Sequence, residues 1–174
     1  DEKWKEAIKH QKGAIRMLLD DVGINGLDHQ KITGALWRKI QSMAIAVEGE
    51  LKTENGKLMG RLDLLMADVD SSGKMVGWLV ADLKTGKAPK DELKTEVNRQ
   101  LRLYRDIIRD NNPNGPPIRT EGWYTADSSK WVAIGDDVLE DAYAAWEATT
   151  PTKVPLEANI GDDSCGGFCD WKAW

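Results

Sequence analysis

Two aspartates and a lysine stand out between residues 59 and 86, because acidic side chains rarely lie inside apolar runs. Asp63 lies between two leucines, and Asp82 lies between an alanine and a leucine, two residues before Lys84. Placing a carboxylate at the margin of a core costs free energy unless a partner compensates for the lost hydration. A divalent cation shared by both carboxylates is such a partner, since Mg²⁺ and Mn²⁺ prefer oxygen ligands.

The chemistry that this cluster favours is the hydrolysis of a phosphodiester. On a β-strand Asp82 and Lys84 point to the same side, about 7 Å apart along the strand. A backbone carbonyl such as that of Leu83, together with waters, would complete the ligands of the cation. The cation would lower the pKa of a bound water and stabilise charge on the phosphate, while Lys84 orients the nucleophile or shares in that stabilisation.

A plainer interpretation needs no metal. Asp82 and Lys84 would form a same-face ion pair, and Asp63 would be a strand residue facing solvent. The spacing of these residues alone favours neither interpretation, because an aspartate two residues before a lysine is a short pattern that often occurs by chance.

The elements that must position these residues are three strands in series. Apolar and polar residues alternate from residue 44 to residue 52, and Asn55-Gly56 then predicts a tight hairpin turn. A second strand over 57–68 and a third over 74–84 are separated by the turn sequence of residues 70–73. The pattern predicts an antiparallel meander whose second and third strands lie inside a covered sheet.

Helices and two further strands surround this meander. The spacing of apolar residues predicts helices over 1–22, 28–43, 89–110 and 136–149, and strands over 118–125 and 130–134. The chain therefore predicts one α/β domain over 1–174, with a mixed central sheet and helices on both sides. It divides into N-terminal helices (1–43), a core (44–149) and a C-terminal tail (150–174).

The helix over 89–110 carries a glutamine on its apolar face. Gln100 falls within the same stripe as Tyr104, and an inward glutamine needs a hydrogen-bonding partner. Lys94 and Arg102 lie along a neighbouring basic flank, where they are candidates for contacts with phosphates.

Three motifs in this order resemble the PD-(D/E)XK nuclease superfamily, and within it the RecB-like branch. They are G-R-L-D at 60–63, D-L-K-T-G at 82–86 and Q-x-x-x-Y at 100–104, and the resemblance covers residues 47–131. The branch includes CRISPR-associated RecB-like exonucleases and the nuclease domains of AddAB-type helicases. The resemblance implies a restriction-endonuclease-like fold, metal ligation by Asp63 and Asp82, and a catalytic Lys84. It also implies that Gln100 and Tyr104 line the site or contact DNA.

The sequence departs from this branch at the residue that would complete the metal site. Members often carry a histidine on an N-terminal helix, and this chain offers only His10 and His29, both typical of surface histidines. Glu48 and Glu50 on the first strand are the other candidates, and we rank them with His10 as weak.

The C-terminal tail is the second departure. Cys165 and Cys169 resemble part of the cysteine-rich tail that binds an iron–sulfur cluster in some members of the branch. Two cysteines cannot supply four cluster ligands, so an iron–sulfur cluster is not expected in this chain.

The composition of the chain restricts the kinds of partner that it can bind. The chain is 41% hydrophobic and 30% charged with a net charge of −5, so DNA contact must come from a local basic patch or through metal ions. No apolar run is long enough to cross a membrane, and two cysteines indicate a cytoplasmic or nucleoid-associated protein.

Together these features predict a Mg²⁺- or Mn²⁺-dependent DNase of the RecB-like exonuclease type. Single-stranded or end-containing DNA is favoured, because no extra segment for reading bases in a groove is apparent. The alternative is a catalytically inactive nucleic-acid-binding module in a larger recombination, repair or CRISPR-type assembly.

Overall fold

The computed structural model describes residues 2–23 and 33–149 of the chain. In these ranges the order of elements is α1 (Glu2–Asp21), α2 (Gly34–Met43), β1 (Ala44–Lys52), β2 (Met59–Val69), β3 (Met75–Lys84), α3 (Thr95–Asn111), β4 (Ile118–Tyr124), β5 (Ser129–Val132) and α4 (Leu139–Thr149). No helix in the described ranges is long and apolar enough to span a membrane.

The strands form one mixed sheet in the order β1-β2-β3-β4-β5. The first three strands pair antiparallel, as the meander predicts. β3 and β4 pair in parallel, which requires a crossover, and α3 supplies it. β5 then pairs antiparallel with β4. β2 and β3 therefore lie inside the sheet, which explains why both read as apolar runs.

Helices cover both faces of this sheet, so the predicted α/β fold with a restriction-endonuclease-like arrangement is confirmed. On one face, α1 and α2 bury a cluster centred on Met17, Met66 and Trp123. On the other face, Tyr104 and Ile108 of α3 pack on strand residues that include Leu62, Leu65 and Val80. The sheet thus holds a packed layer on each side, and polar residues at its end can be positioned from both.

Three predicted helices differ from the structure at their starts, and one of them, α4, begins at Leu139 rather than at residue 136. The predicted helix over 28–43 is not continuous, because Thr33 is extended and its hydroxyl caps α2 at Gly34 by accepting a hydrogen bond from the Leu36 amide at 3.2 Å. The predicted start at residue 28 lies outside the described residues. α3 begins at Thr95 rather than at residue 89. Leu93, just before this helix, is buried in a cluster that includes Leu101 and Tyr124, so packing holds the preceding segment as a loop despite its helix-start residues.

Candidate active site

The two aspartates meet where β2 and β3 stop pairing. The antiparallel ladder ends at the pair Leu64 and Ala81, and one further step in this register places Asp63 opposite Asp82. The amide of Leu83 donates a hydrogen bond to Asp63 Oδ2 at 2.7 Å. The side chain of Asp63, on β2, thus accepts a hydrogen bond from the main chain of β3, and its carboxylate is held beside β3.

Asp82 and Lys84 are on the same side of β3 and touch. Lys84 Nζ lies 2.6 Å from Asp82 Oδ2. This contact lacks the angles of a hydrogen bond, so the buried Oδ2 atom has an ion-pair partner but no hydrogen-bond donor. The same-face ion pair of the plainer interpretation therefore exists. Asp63, in contrast, is partly buried and anchored rather than a freely solvated strand residue.

The electrostatics of Asp82 oppose its ionisation. Burial raises the pKa of Asp82 above its ordinary value, while the adjacent Lys84 ammonium lowers this pKa and the negative charge of Asp63 adds to the rise. Asp82 is only 6% exposed, so water does little to stabilise its charge. A second cation beside the two carboxylates would favour the ionised form.

A chain of hydrogen bonds ties α3 to this cluster. Lys84 Nζ donates to Gln100 Oε1 at 3.3 Å, and Gln100 Nε2 donates to the Tyr104 hydroxyl at 2.9 Å. The Tyr104 hydroxyl then donates to the main-chain oxygen of Arg61 at 2.8 Å. Burial raises the pKa of Tyr104, so its hydroxyl remains a donor at neutral pH. The partner that the inward Gln100 requires is therefore Lys84 on one side and Tyr104 on the other.

Gly60 makes room for this chain. A Cβ on Gly60 would lie 2.7 Å from Tyr104 Cε1, so only glycine lets the ring approach β2 this closely. Sequence reasoning missed this role, since nothing local to Gly60 indicates that an aromatic ring from a helix some forty residues later packs on it.

The weaker ligand candidates make other contacts. Glu48 is exposed and pairs with Arg61 at 2.5 Å, and Glu50 is exposed and pairs with Lys52 at 2.5 Å. Within the described part of the chain, no three His, Cys, Asp or Glu side chains are grouped closely enough to hold a metal ion. The two strand carboxylates therefore stand without a third protein ligand of these types among those residues.

His10 lies on the α1 side of the sheet, close to the main chain of Lys84. The Thr125 hydroxyl and amide both donate to the main-chain oxygen of Lys84, at 3.2 and 3.0 Å. His10 Nδ1 lies within hydrogen-bonding distance of this hydroxyl, at 2.7 Å. His10 is thus linked to the site through the backbone of β3 and positions Thr125.

The donor set fits a hard divalent cation. Mg²⁺ usually binds through one or two carboxylates and fills its other positions with water and substrate phosphate, so a third protein carboxylate is not required. The buried Asp82 Oδ2, which has no hydrogen-bond donor, is the kind of oxygen that such an ion would use.

The remaining site candidates lie apart from these contacts or outside the described residues. Lys94 is exposed immediately before α3. Arg102 Nη1 donates to the main-chain oxygen of Asp136 at 3.0 Å, so this side chain is engaged by the loop before α4. Three candidates lie outside the described residues: His29, Cys165 and Cys169.

Comparison with known proteins extends the similarity beyond the three motifs. A family model for the PD-(D/E)XK nuclease superfamily matches residues 1–174, which is the whole chain. The comparison with curated proteins found no match. The family match therefore includes the N-terminal helices and the tail as well as the strands that carry the motifs.

Proposed function

The chain belongs to the PD-(D/E)XK nuclease superfamily, and from this premise we propose that it is a metal-dependent deoxyribonuclease that hydrolyses phosphodiester bonds. The observation that carries the proposal is the meeting of Asp63 and Asp82 at the end of the β2–β3 ladder, with Lys84 beside them. Two carboxylates and an ammonium at one point provide both a cation site and a donor for phosphate or water.

Asp63, Asp82 and the main-chain oxygen of Leu83 would hold Mg²⁺ or Mn²⁺. When bound, the cation supplies Lewis-acid activation of water and stabilises the charge that develops on the phosphate. The Leu83 amide keeps Asp63 directed towards β3, so its carboxylate needs no reorganisation before it binds the ion.

Lys84 would act on the reacting atoms. Its ammonium lies between Asp82 and Gln100, and from there it donates hydrogen bonds to the attacking water or to a phosphate oxygen. Gln100 and Tyr104 act as positioning residues, because their hydrogen bonds link Lys84 to the β2 main chain. A restrained ammonium stabilises developing negative charge better than one that must be reoriented.

We further propose that the activity is that of a RecB-like exonuclease on single-stranded or end-containing DNA. The order of the G-R-L-D, D-L-K-T-G and Q-x-x-x-Y motifs supports this assignment. The test compares a linear single-stranded DNA with the same strand circularised, each with Mg²⁺, Mn²⁺ or EDTA. Degradation of the linear strand alone is expected, and equal cutting of the circle would contradict exonuclease action.

A nucleic-acid-binding module without catalysis is the second candidate. It is favoured by the absence, within the described residues, of a third acidic residue or histidine beside the two carboxylates. DNA binding by the wild type without cleavage under any of these metal conditions would select this module over the nuclease.

A further inference from the structure

A groove runs between α1 and the turn that joins β4 to β5. One wall carries four cations of α1, and the other is formed by residues 125–128 of the turn. Gly13 closes the base of the groove: a Cβ there would lie 1.9 Å from the main-chain oxygen of Thr125, so only glycine lets helix and turn approach this closely. The cations are Lys5, Lys9, Lys12 and Arg16.

These cations form a single stripe, which we call the α1 basic stripe. At 3.6 residues per turn, their side chains fall within an arc about 60° wide and extend for about 16 Å along the helix. All four are exposed, and within the described residues none of them forms an ion pair. Glu2 and Asp20 lie just beyond its two ends and Glu6 lies on its flank, so acidic residues border the stripe and do not interrupt it.

An ordinary solvated helix face does not have this pattern. Exposed faces usually alternate in sign, and like charges three or four residues apart destabilise a helix. The spacing of the stripe repeats this unfavourable arrangement three times in succession, in a chain whose net charge is −5. A bound polyanion would offset the repulsion.

The groove also adjoins the candidate active site. Its wall residue Thr125 donates two hydrogen bonds to the main-chain oxygen of Lys84, so the groove reaches the end of β3 from the α1 face, while the Lys84 side chain contacts α3 on the other face. The acidic residue on this wall, Asp127, is engaged by the amide and the hydroxyl of Ser129 at 3.1 and 2.7 Å. The groove therefore carries a net positive charge, because four cations of α1 face the single carboxylate of Asp127.

We propose that the α1 basic stripe binds the phosphodiester backbone of a DNA strand whose adjoining part occupies the site at Asp82 and Lys84. This inference rests on the proposed function for the identity of the polyanion. It assigns to α1 the local basic patch that a nuclease with a net negative charge needs. It also places the path of the DNA strand beside the turn that joins β4 to β5.

The test is a binding measurement in EDTA, so that it does not depend on cleavage. A fluorescent oligothymidylate strand is titrated with the wild type, with the stripe triple variant Lys5→Gln, Lys9→Gln, Lys12→Gln, and with a matched triple of exposed cations outside the groove. The matched triple is Arg38→Gln, Lys39→Gln, Lys74→Gln. Both triples remove three charges, and glutamine preserves helix propensity.

We expect the stripe triple to bind the strand roughly tenfold to a hundredfold more weakly than the wild type. The slope of log affinity against log salt concentration should also become shallower by about two, since each phosphate contact on a single strand contributes about 0.7. The matched triple should bind within about threefold of the wild type. Replacing the same three lysines by arginine should preserve binding, which separates charge from helix damage.

Equal losses in the two triples, or no loss in the stripe triple, would overturn the inference. Wild-type binding to vesicles of anionic lipid but not to the oligothymidylate would overturn it too. If the stripe triple loses binding and the wild type never cleaves DNA, the groove is upheld as a DNA-binding surface and the nuclease proposal is rejected. If the wild type cleaves DNA and the stripe triple binds DNA normally, the nuclease proposal is upheld and the groove is rejected as a DNA-binding surface.

Discussion

Gly60 and Tyr104 are fitted to each other across the interface of β2 and α3, because a Cβ on Gly60 would lie 2.7 Å from Tyr104 Cε1. The hydroxyl of the same tyrosine donates to the main-chain oxygen of Arg61, the next residue along β2. Asp63 lies two residues further on this strand. The position of the strand that carries one carboxylate is therefore coupled to the helix that restrains Lys84.

Substituting Gly60→Ala should lower the free energy of unfolding by about 1–3 kcal/mol, since the ring must move to accommodate the added methyl group. Urea denaturation measures the change. Gly86→Ala is the matched control, because a Cβ there meets no atom within 4 Å. A Gly60 variant no less stable than the Gly86 variant would show that the ring adapts at no cost.

Substituting Tyr104→Phe should cost about 1–2 kcal/mol of stability, because it leaves the Arg61 main-chain oxygen and Gln100 Nε2 without their partner. It should also slow cleavage about tenfold, since Gln100 is then free to leave Lys84. Chemical denaturation and single-turnover cleavage measure the two effects. Tyr143→Phe serves as control on α4, and equal effects of the two substitutions would refute this role of the hydroxyl.

Substituting Asp82→Asn should stabilise the metal-free protein in a pH-dependent way. The pKa of Asp82 is raised in the folded state, so the folded protein binds this proton more tightly than the unfolded chain does. The resulting destabilisation is absent below the ordinary value of 3.8 and grows as pH rises through the raised pKa. Asparagine removes it at all pH values.

Melting temperatures in EDTA test this prediction. The Asp82→Asn variant should melt a few degrees above the wild type at about pH 8, and the gain should shrink as pH falls towards the ordinary pKa. Asp110→Asn, on the exposed end of α3, should show no such trend. A gain that grew towards acid pH would contradict a raised pKa.

Substituting Asp63→Asn should weaken metal binding while preserving the fold. An amide oxygen still accepts the hydrogen bond from Leu83, but the negative charge is lost. We expect at least a tenfold lower affinity for Mn²⁺ by calorimetry, and loss of the metal-induced rise in melting temperature. The Asp110→Asn protein should bind Mn²⁺ like the wild type, and an Asp63 variant with unchanged affinity would exclude Asp63 as a ligand.

Local patterns in the sequence predicted the strands and the side of β3 on which Asp82 and Lys84 lie. Alternation of apolar residues and the Asn55-Gly56 turn are properties of short stretches, and the meander they predict is confirmed. The same two-residue period put Asp82 and Lys84 on one side, where they form an ion pair.

The features that were missed depend on contacts between distant segments. The start of α3 follows a leucine, Leu93, that is buried in a cluster with Tyr124 of β4, and the packing of Tyr104 on Gly60 depends on how a helix crosses a sheet. The basic spacing of α1 is visible in the sequence. Its groove is not, because the opposite wall at Thr125 lies more than a hundred residues away.

The most direct test of the proposed nuclease site is single-turnover cleavage of end-labelled single-stranded DNA in Mg²⁺ by the wild type, Lys84→Met and Lys74→Met. Lys74 immediately precedes the opposite end of β3, so its substitution changes the same charge away from the carboxylates. We predict cleavage by the wild type and the Lys74 variant, abolition by EDTA, and a loss of at least a hundredfold in the Lys84 variant, roughly the effect of removing one transition-state donor. Cleavage that persists in the Lys84 variant at the wild-type rate, or in EDTA, would contradict the proposed site.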